Sequence, residues 1–309
     1  MASKFVHQTT ETMTDWASTV CEVAVWFWEW LGSALNSNFS TSAIGSLAGA
    51  AGGAYAIQRI GDKAKAREEI EKQIGHSNSA TLLASDALNV FFALKSQHTI
   101  PLLKRYRAVL TAHAAFIEGI SKGTIAKNTV FEPQLDLHQL EEIYEGMVDP
   151  LVSVISKDLK APGQLVLMAG ALRRCVEQLR TAILKRNKLI DEWSKEIVQP
   201  NFSKVQLYLG IKNAGGHQST VYPSYMTTIE KSLDDCIWFT KTLSDLLQAY
   251  GRQMQSKYGR KKPAWLKLGR ERPKVTGVNL VDGHEALVPS SVGFEDWVRS
   301  IEGLFNEKK

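Results

Sequence analysis

The stretch Gly163–Val198, GQLVLMAGALRRCVEQLRTAILKRNKLIDEWSKEIV, decides the fold. Leu172, Val176, Leu179, Ile183, Arg186, Ile190, Trp193 and Ile197 recur in it at alternating steps of four and three. At 3.6 residues per turn that spacing draws one narrow stripe along a helix, whereas a strand would need alternation at every second residue. Met226, Ile229, Leu233, Cys236, Thr240, Leu243, Leu247, Tyr250 and Met254 repeat the pattern. Two such heptad seams pair either with each other, as an antiparallel bundle within the chain, or with another copy as a coiled coil. The first needs only a turn between them, and Phe202–Ser224, with Gly210, Gly215, Gly216 and Pro223, supplies an excursion of that kind around Asn213-Ala214-Gly215-Gly216.

Outward from the two seams the helical period continues. Residues 62–74, Ala80–Lys95, Leu102–Lys122 and Gln134–Leu159 space their apolar residues three and four apart, and no run of alternating strands precedes residue 200. Breaks are expected at Gly75-His76-Ser77, Pro101, Pro133, Pro150, Pro162 and Pro200, since proline lacks a donor N–H and restricts the residue ahead of it. Past Gly259 the character changes, with a short hairpin expected in Lys274–Pro289 around Asp282-Gly283 and a closing amphipathic helix in Phe294–Phe305 carrying Trp297, Ile301 and Leu304. The expected fold class is all-α. An N-terminal membrane helix or helical hairpin leads into a multi-helix bundle with long heptad-patterned helices and a short irregular C-terminal region.

Hydrophobic residues make up 44 % of the 309 and charged residues 22 %, which excludes a wholly disordered chain. Cys21, Cys175 and Cys236 are odd in number and show no CxxC or Cys/His spacing, so a disulfide framework and a zinc site are both out. The last two read as small apolar core residues. The seven histidines are scattered, with no HExxH, and no GxSxG or phosphate-loop sequence occurs. No catalytic residue, metal ligand or cofactor site is therefore assigned.

Charge divides the chain. Residues 1–58 carry five formal charges, none lies between Trp30 and Gln58, and Arg59, Asp62, Lys63, Lys65 and Arg67 follow at once. Such an edge resembles a membrane boundary. Thr41–Ile57, TSAIGSLAGAAGGAYAI, would span about 26 Å as a helix at 1.5 Å per residue, the low end of a bilayer core. Its Gly45, Gly49, Gly52 and Gly53 share one face, the small-xxx-small pattern that lets helix backbones approach closely in lipid. An Ala/Gly-rich helix buried in a soluble core, or a flexible linker, would use the same residues. Before it, Asp15–Leu35 places Trp16, Trp26, Trp28 and Trp30 where indoles suit a headgroup layer, with Glu22 and Glu29 on a narrow polar stripe. That segment is read as an interfacial helix, as the first limb of a hairpin or as a core helix of a soluble protein, because carboxylates near mid-bilayer cost roughly 2.5–3.5 kcal/mol. Positive charge after Ile57 places the body on the cytosolic side.

Three regions follow: a membrane-associated head over 1–58, a helical body over 59–258, and a basic linker with an amphipathic helix over 259–309. Gly251–Lys274 holds nine cations against Glu271 alone, a local net of +8 against +5 for the whole chain. Its Arg260, Lys261, Lys262, Lys267 and Arg270, with Trp265 among them, could neutralise phosphates of nucleic acid or of an anionic lipid surface, or could form a solvated loop.

The glycine-rich segment, the Trp-rich stretch before it and the overall size resemble the membrane-acting effectors of bacterial anti-phage systems, including those paired with retrons. The resemblance covers about 60 residues of layout and carries over no individual residue. It implies a homo-oligomer in the membrane, held inactive by a regulatory partner, which perturbs the bilayer when released. The other expectation is a tether that holds nucleic acid or a protein complex at the membrane through the basic segment.

Overall fold

The structure is a computed structural model and describes Glu29 and residues 38–199, 201–260, 273–277, 284–302 and 304. It is all-helical: among the described residues no strand forms, only one antiparallel bridge between Lys212 and Gln218. Helix α1 runs Asn38–Ala93, passes through a π-helical turn Leu94–Thr99, and continues as α2, Ile100–Ser121. A short α3, Asp149–Ser153, ends in a second π-turn, Val154–Asp158. Then come α4, Gly163–Ser194; α5, Lys204–Leu209; α6, Val221–Arg260; and α7, Glu295–Ile301. The chain divides into two units, Met1–Ala66 and Arg67–Lys309.

The second unit is built on α4 against α6, and the two heptad seams face each other within one chain. Leu172, Val176, Leu179, Ile183, Arg186, Ile190 and Trp193 are all buried, and so are Met226, Ile229, Leu233, Cys236, Thr240, Leu243, Leu247 and Tyr250. Both seams are therefore satisfied internally. Ile197 falls off the stripe and is 61 % exposed, because α4 stops at Ser194 and Glu196 takes a positive φ of 62°. Around this pair Phe91, Phe92, Leu102, Leu103, Leu151, Ile155 and Leu207 complete one continuous core.

The turn between the seams closes as its sequence implies. Asn213 Oδ1 accepts the His217 N–H at 2.9 Å, and Ser203 and Gln206 form a reciprocal capping box at the start of α5. Gly210 ends that helix in the left-handed region at φ 67°, where a Cβ would lie 2.7 Å from Pro223 Cγ.

Three sequence expectations need correction. The break at Gly75-His76-Ser77 does not occur: α1 runs straight through, with the Ser77 hydroxyl donating to Leu247 O at 2.6 Å and Ile74 almost wholly buried. Packing outweighs the roughly 1 kcal/mol that one glycine costs a helix. Pro101 does not end a helix either. It sits in the first turn of α2 directly after a π-turn, whose wider winding relieves the clash of the ring with the preceding turn.

Gln134–Leu159 is not one helix. Residues 128–144 are irregular, and helix forms only from Asp149. The apolar residues Leu140, Ile143 and Met147 are buried, but side chains of α4 take over the backbone bonds that a helix would have made. Asn187 accepts the Leu140 N–H at 3.0 Å and donates to its carbonyl at 2.7 Å, while Arg186 Nη1 donates to His138 O at 2.9 Å.

The expected membrane helix finds no support among the described residues. No described helix is long and apolar enough to cross a membrane. Ten of the 17 residues of Thr41–Ile57 are Gly or Ala, and with two serines, Thr41 and Tyr55 they dilute Ile44, Leu47 and Ile57 below what a span requires. The hairpin expected in Lys274–Pro289 has its turn, Asp282-Gly283, outside the described residues, whereas the closing amphipathic helix is present in part, as the seven-residue α7 with Trp297 and Ile301 partly buried and Leu304 beyond its end.

Candidate functional site

In the first unit, Gly45, Gly49, Gly52 and Gly53 all lie within α1. Residues 49–60 are exposed without interruption, including Tyr55, Ile57 and Ile60, and a Cβ built on Gly49, Gly52 or Gly53 meets nothing within 4 Å. Twelve successive exposed residues that include four alanines, three glycines and three large apolar side chains make a helix open on every side. In water such a helix gains little from its side chains and suffers from its glycines, since most helical stability in proteins comes from packing a face. Glu29 is helical and exposed. Glu22 and Trp16, Trp26, Trp28 and Trp30 lie outside the described residues.

In the second unit a polar cluster crosses the core. Arg186 is wholly buried on the α4 seam. Its Nη1 holds His138 O, its Nη2 donates to the Tyr222 hydroxyl at 3.2 Å, and its guanidinium carbon stands 5.5 Å from the Tyr222 ring centre. Tyr222 stacks on Tyr208 at 4.7 Å and packs against Trp193 and Tyr106. Among the described residues no carboxylate pairs with Arg186, and its Nε and the Tyr208 hydroxyl have no hydrogen-bond partner. A guanidinium stays charged at any physiological pH, so this cation is held by one carbonyl, one phenol and the face of the Tyr222 ring. Burial raises the pKa values of Tyr208 and Tyr222, which keeps both phenols neutral and unsuited to act as bases.

Asp136 sits beside this cluster. Burial alone would raise its pKa, but the ring and backbone N–H of His138, together with the Arg105 guanidinium at 2.9 Å, outweigh that and hold it below the usual carboxylate range. Desolvation pushes the Cys175 thiol up to about 11 and Cys236 well above its ordinary value, so neither is a thiolate at neutral pH. Among the described residues no group of three His, Cys, Asp or Glu could hold a metal ion.

The basic segment is described only at its two ends. Arg260 is the last residue of α6, while Lys261, Lys262, Trp265, Lys267 and Arg270 lie outside the described residues. Arg252, Lys257 and Lys274 are exposed. Residues 273–277 are pinned within the second unit. Asn78 donates to Lys274 O at 2.8 Å and accepts the Thr276 N–H at 2.8 Å, Gln255 donates to Pro273 O at 2.8 Å, and Val275 packs on Ile70, Ile74 and Tyr258. Asn78, Arg186 and Asn187 were not singled out in the sequence as site or anchoring residues. The available signal was for Arg186 alone, a cation on an apolar seam.

No protein-family model matches the chain, and neither a curated protein nor a solved structure matches it.

Proposed function

We propose that the chain is a self-associating helical interaction protein that acts at a membrane, with the N-terminal unit as the acting part and the helical body as the part a regulatory partner holds. The observation that carries this reading is the uncovered stretch 49–60, whose small and apolar residues are open on every side. A second copy supplies the close backbone packing that the glycine face permits, and lipid covers the bulky side chains. Because a single helix of this composition is not apolar enough to span, membrane contact belongs to an assembly or to the headgroup layer, where the tryptophans before it are favoured.

Expression of the full chain, followed by a carbonate wash and crosslinking, tests the proposal. The expected result is chain retained with the membrane pellet and a crosslinked ladder that Gly49→Ile removes. Complete release into the wash overturns membrane action, and an unchanged ladder in Gly49→Ile overturns the glycine face as the contact.

The exposed Arg252, Lys257 and Lys274 favour a second reading, a tether that holds nucleic acid. It requires copurified nucleic acid and an affinity that falls with salt by a slope of about 0.9 for each phosphate neutralised. Chain free of nucleic acid after purification at low salt rejects it.

A further inference from the structure

We infer that the second unit contains a binding site for a small amphipathic organic monoanion, in the cleft between α6 and the π-turn that leads into α2. The cleft has a volume of about 380 Å³, in the range of small-molecule sites, and its apolar part is formed by Ile100, Leu103 and Leu233. Ile100 is 44 % exposed although it stands over a buried core, as a side chain does when the groove beside it is unfilled.

Thr99 provides a second and independent observation. It lines the cleft and is 3 % exposed, yet its hydroxyl is buried with no hydrogen-bond partner. Three threonines in regular α-helix return their hydroxyls to the carbonyl four residues back: Thr81 to Ser77 at 2.9 Å, Thr111 to Arg107 at 3.0 Å and Thr240 to Cys236 at 2.6 Å. For Thr99 the corresponding carbonyl is that of Lys95, which in the π-turn Leu94–Thr99 accepts the Ile100 N–H. Wide turns of this kind recur at functional sites, and an orphaned buried hydroxyl is a group that a ligand can satisfy.

The charges around the cleft select the ligand. Lys95 is bound to Asp234 at 2.7 Å and to Leu287 O at 2.8 Å, and Arg107 to Glu230 at 2.6 Å, so both carboxylates are already engaged. Lys104 remains, exposed at the rim and without an ion pair among the described residues. One free positive charge beside an apolar floor suits a monocarboxylate with a hydrocarbon body. A phosphate dianion would ask for a second free cation, and a cationic ligand for a free carboxylate. The site lies wholly within the second unit and does not depend on how the N-terminal unit acts.

The probe is octanoate, titrated into the full chain by calorimetry, with 1-octanol and octylamine as controls. Octanoate is expected to bind at least tenfold more tightly than either control. Lys104→Ala, at an exposed position, is expected to weaken octanoate about tenfold while leaving octanol unchanged. Thr99→Val is expected to weaken octanoate severalfold without lowering the melting temperature, because no protein partner loses a bond. Equal affinity for octanoate and octanol, no octanoate binding at millimolar concentration, or unchanged octanoate affinity in Lys104→Ala would each overturn the inference.

Discussion

Asn187 carries an unusual share of the second unit at the scale of one residue. Its carboxamide replaces a backbone partner for Leu140 on both the donor and the acceptor side. Asn187→Leu would bury both groups unpaired, and since each orphan costs about 1–3 kcal/mol, a loss of roughly 2–6 kcal/mol is expected in urea unfolding. Asp136 gives a pH dependence of definite sign. Its folded-state pKa is lowered, so the stabilisation it provides is complete above the ordinary aspartate value and disappears as pH falls through the lowered one. Stability measured from pH 7 downward should therefore drop below about pH 4, and Asp136→Asn should flatten that part of the curve. An identical acid limb in the variant would assign the loss to other carboxylates.

Glycines separate two kinds of element position. Gly75 is exposed in mid-helix and a Cβ there meets nothing within 4 Å, so Gly75→Ala should stabilise the chain by about 0.5–1 kcal/mol in thermal melts. Gly210 has a positive φ and a Pro223 carbon in the way, so Gly210→Ala should cost about 1–2 kcal/mol. The same contrast marks what was legible at this scale. The seams of α4 and α6 were readable because a step of four and three has one geometric solution, and the turn at Asn213 because its residue types fit little else. Gln134–Leu159 misled for the reason that its spacing is right while its backbone partners belong to another helix. Arg186 and Asn187 lie in the α4 sequence, but nothing local says that they face an irregular strip 47 or 48 residues earlier. At Gly75 local propensity argued for a break, and tertiary packing on α6 prevailed.

Across the whole molecule, the candidate sites were legible in unequal measure. The glycine face could be read because the gathering of small residues on one side of a helix is a property of spacing alone. The cleft at Thr99 could not, because it arises from a change of helical winding that brings Lys104, Arg107 and Glu230 to one rim, and winding leaves no trace in residue type. A pinned segment also has a kinetic side. Three amides outside regular helix bonding, those of Leu140, Lys160 and Thr276, donate to the side chains of Asn187, Gln73 and Asn78 at 3.0, 2.7 and 2.8 Å. Each is protected from solvent hydrogen by a single rotatable carboxamide rather than by a cooperative ladder. In deuterium oxide the three should thus behave as separate clocks, with Asn78→Ala speeding exchange at Thr276 and leaving Leu140 at its original rate.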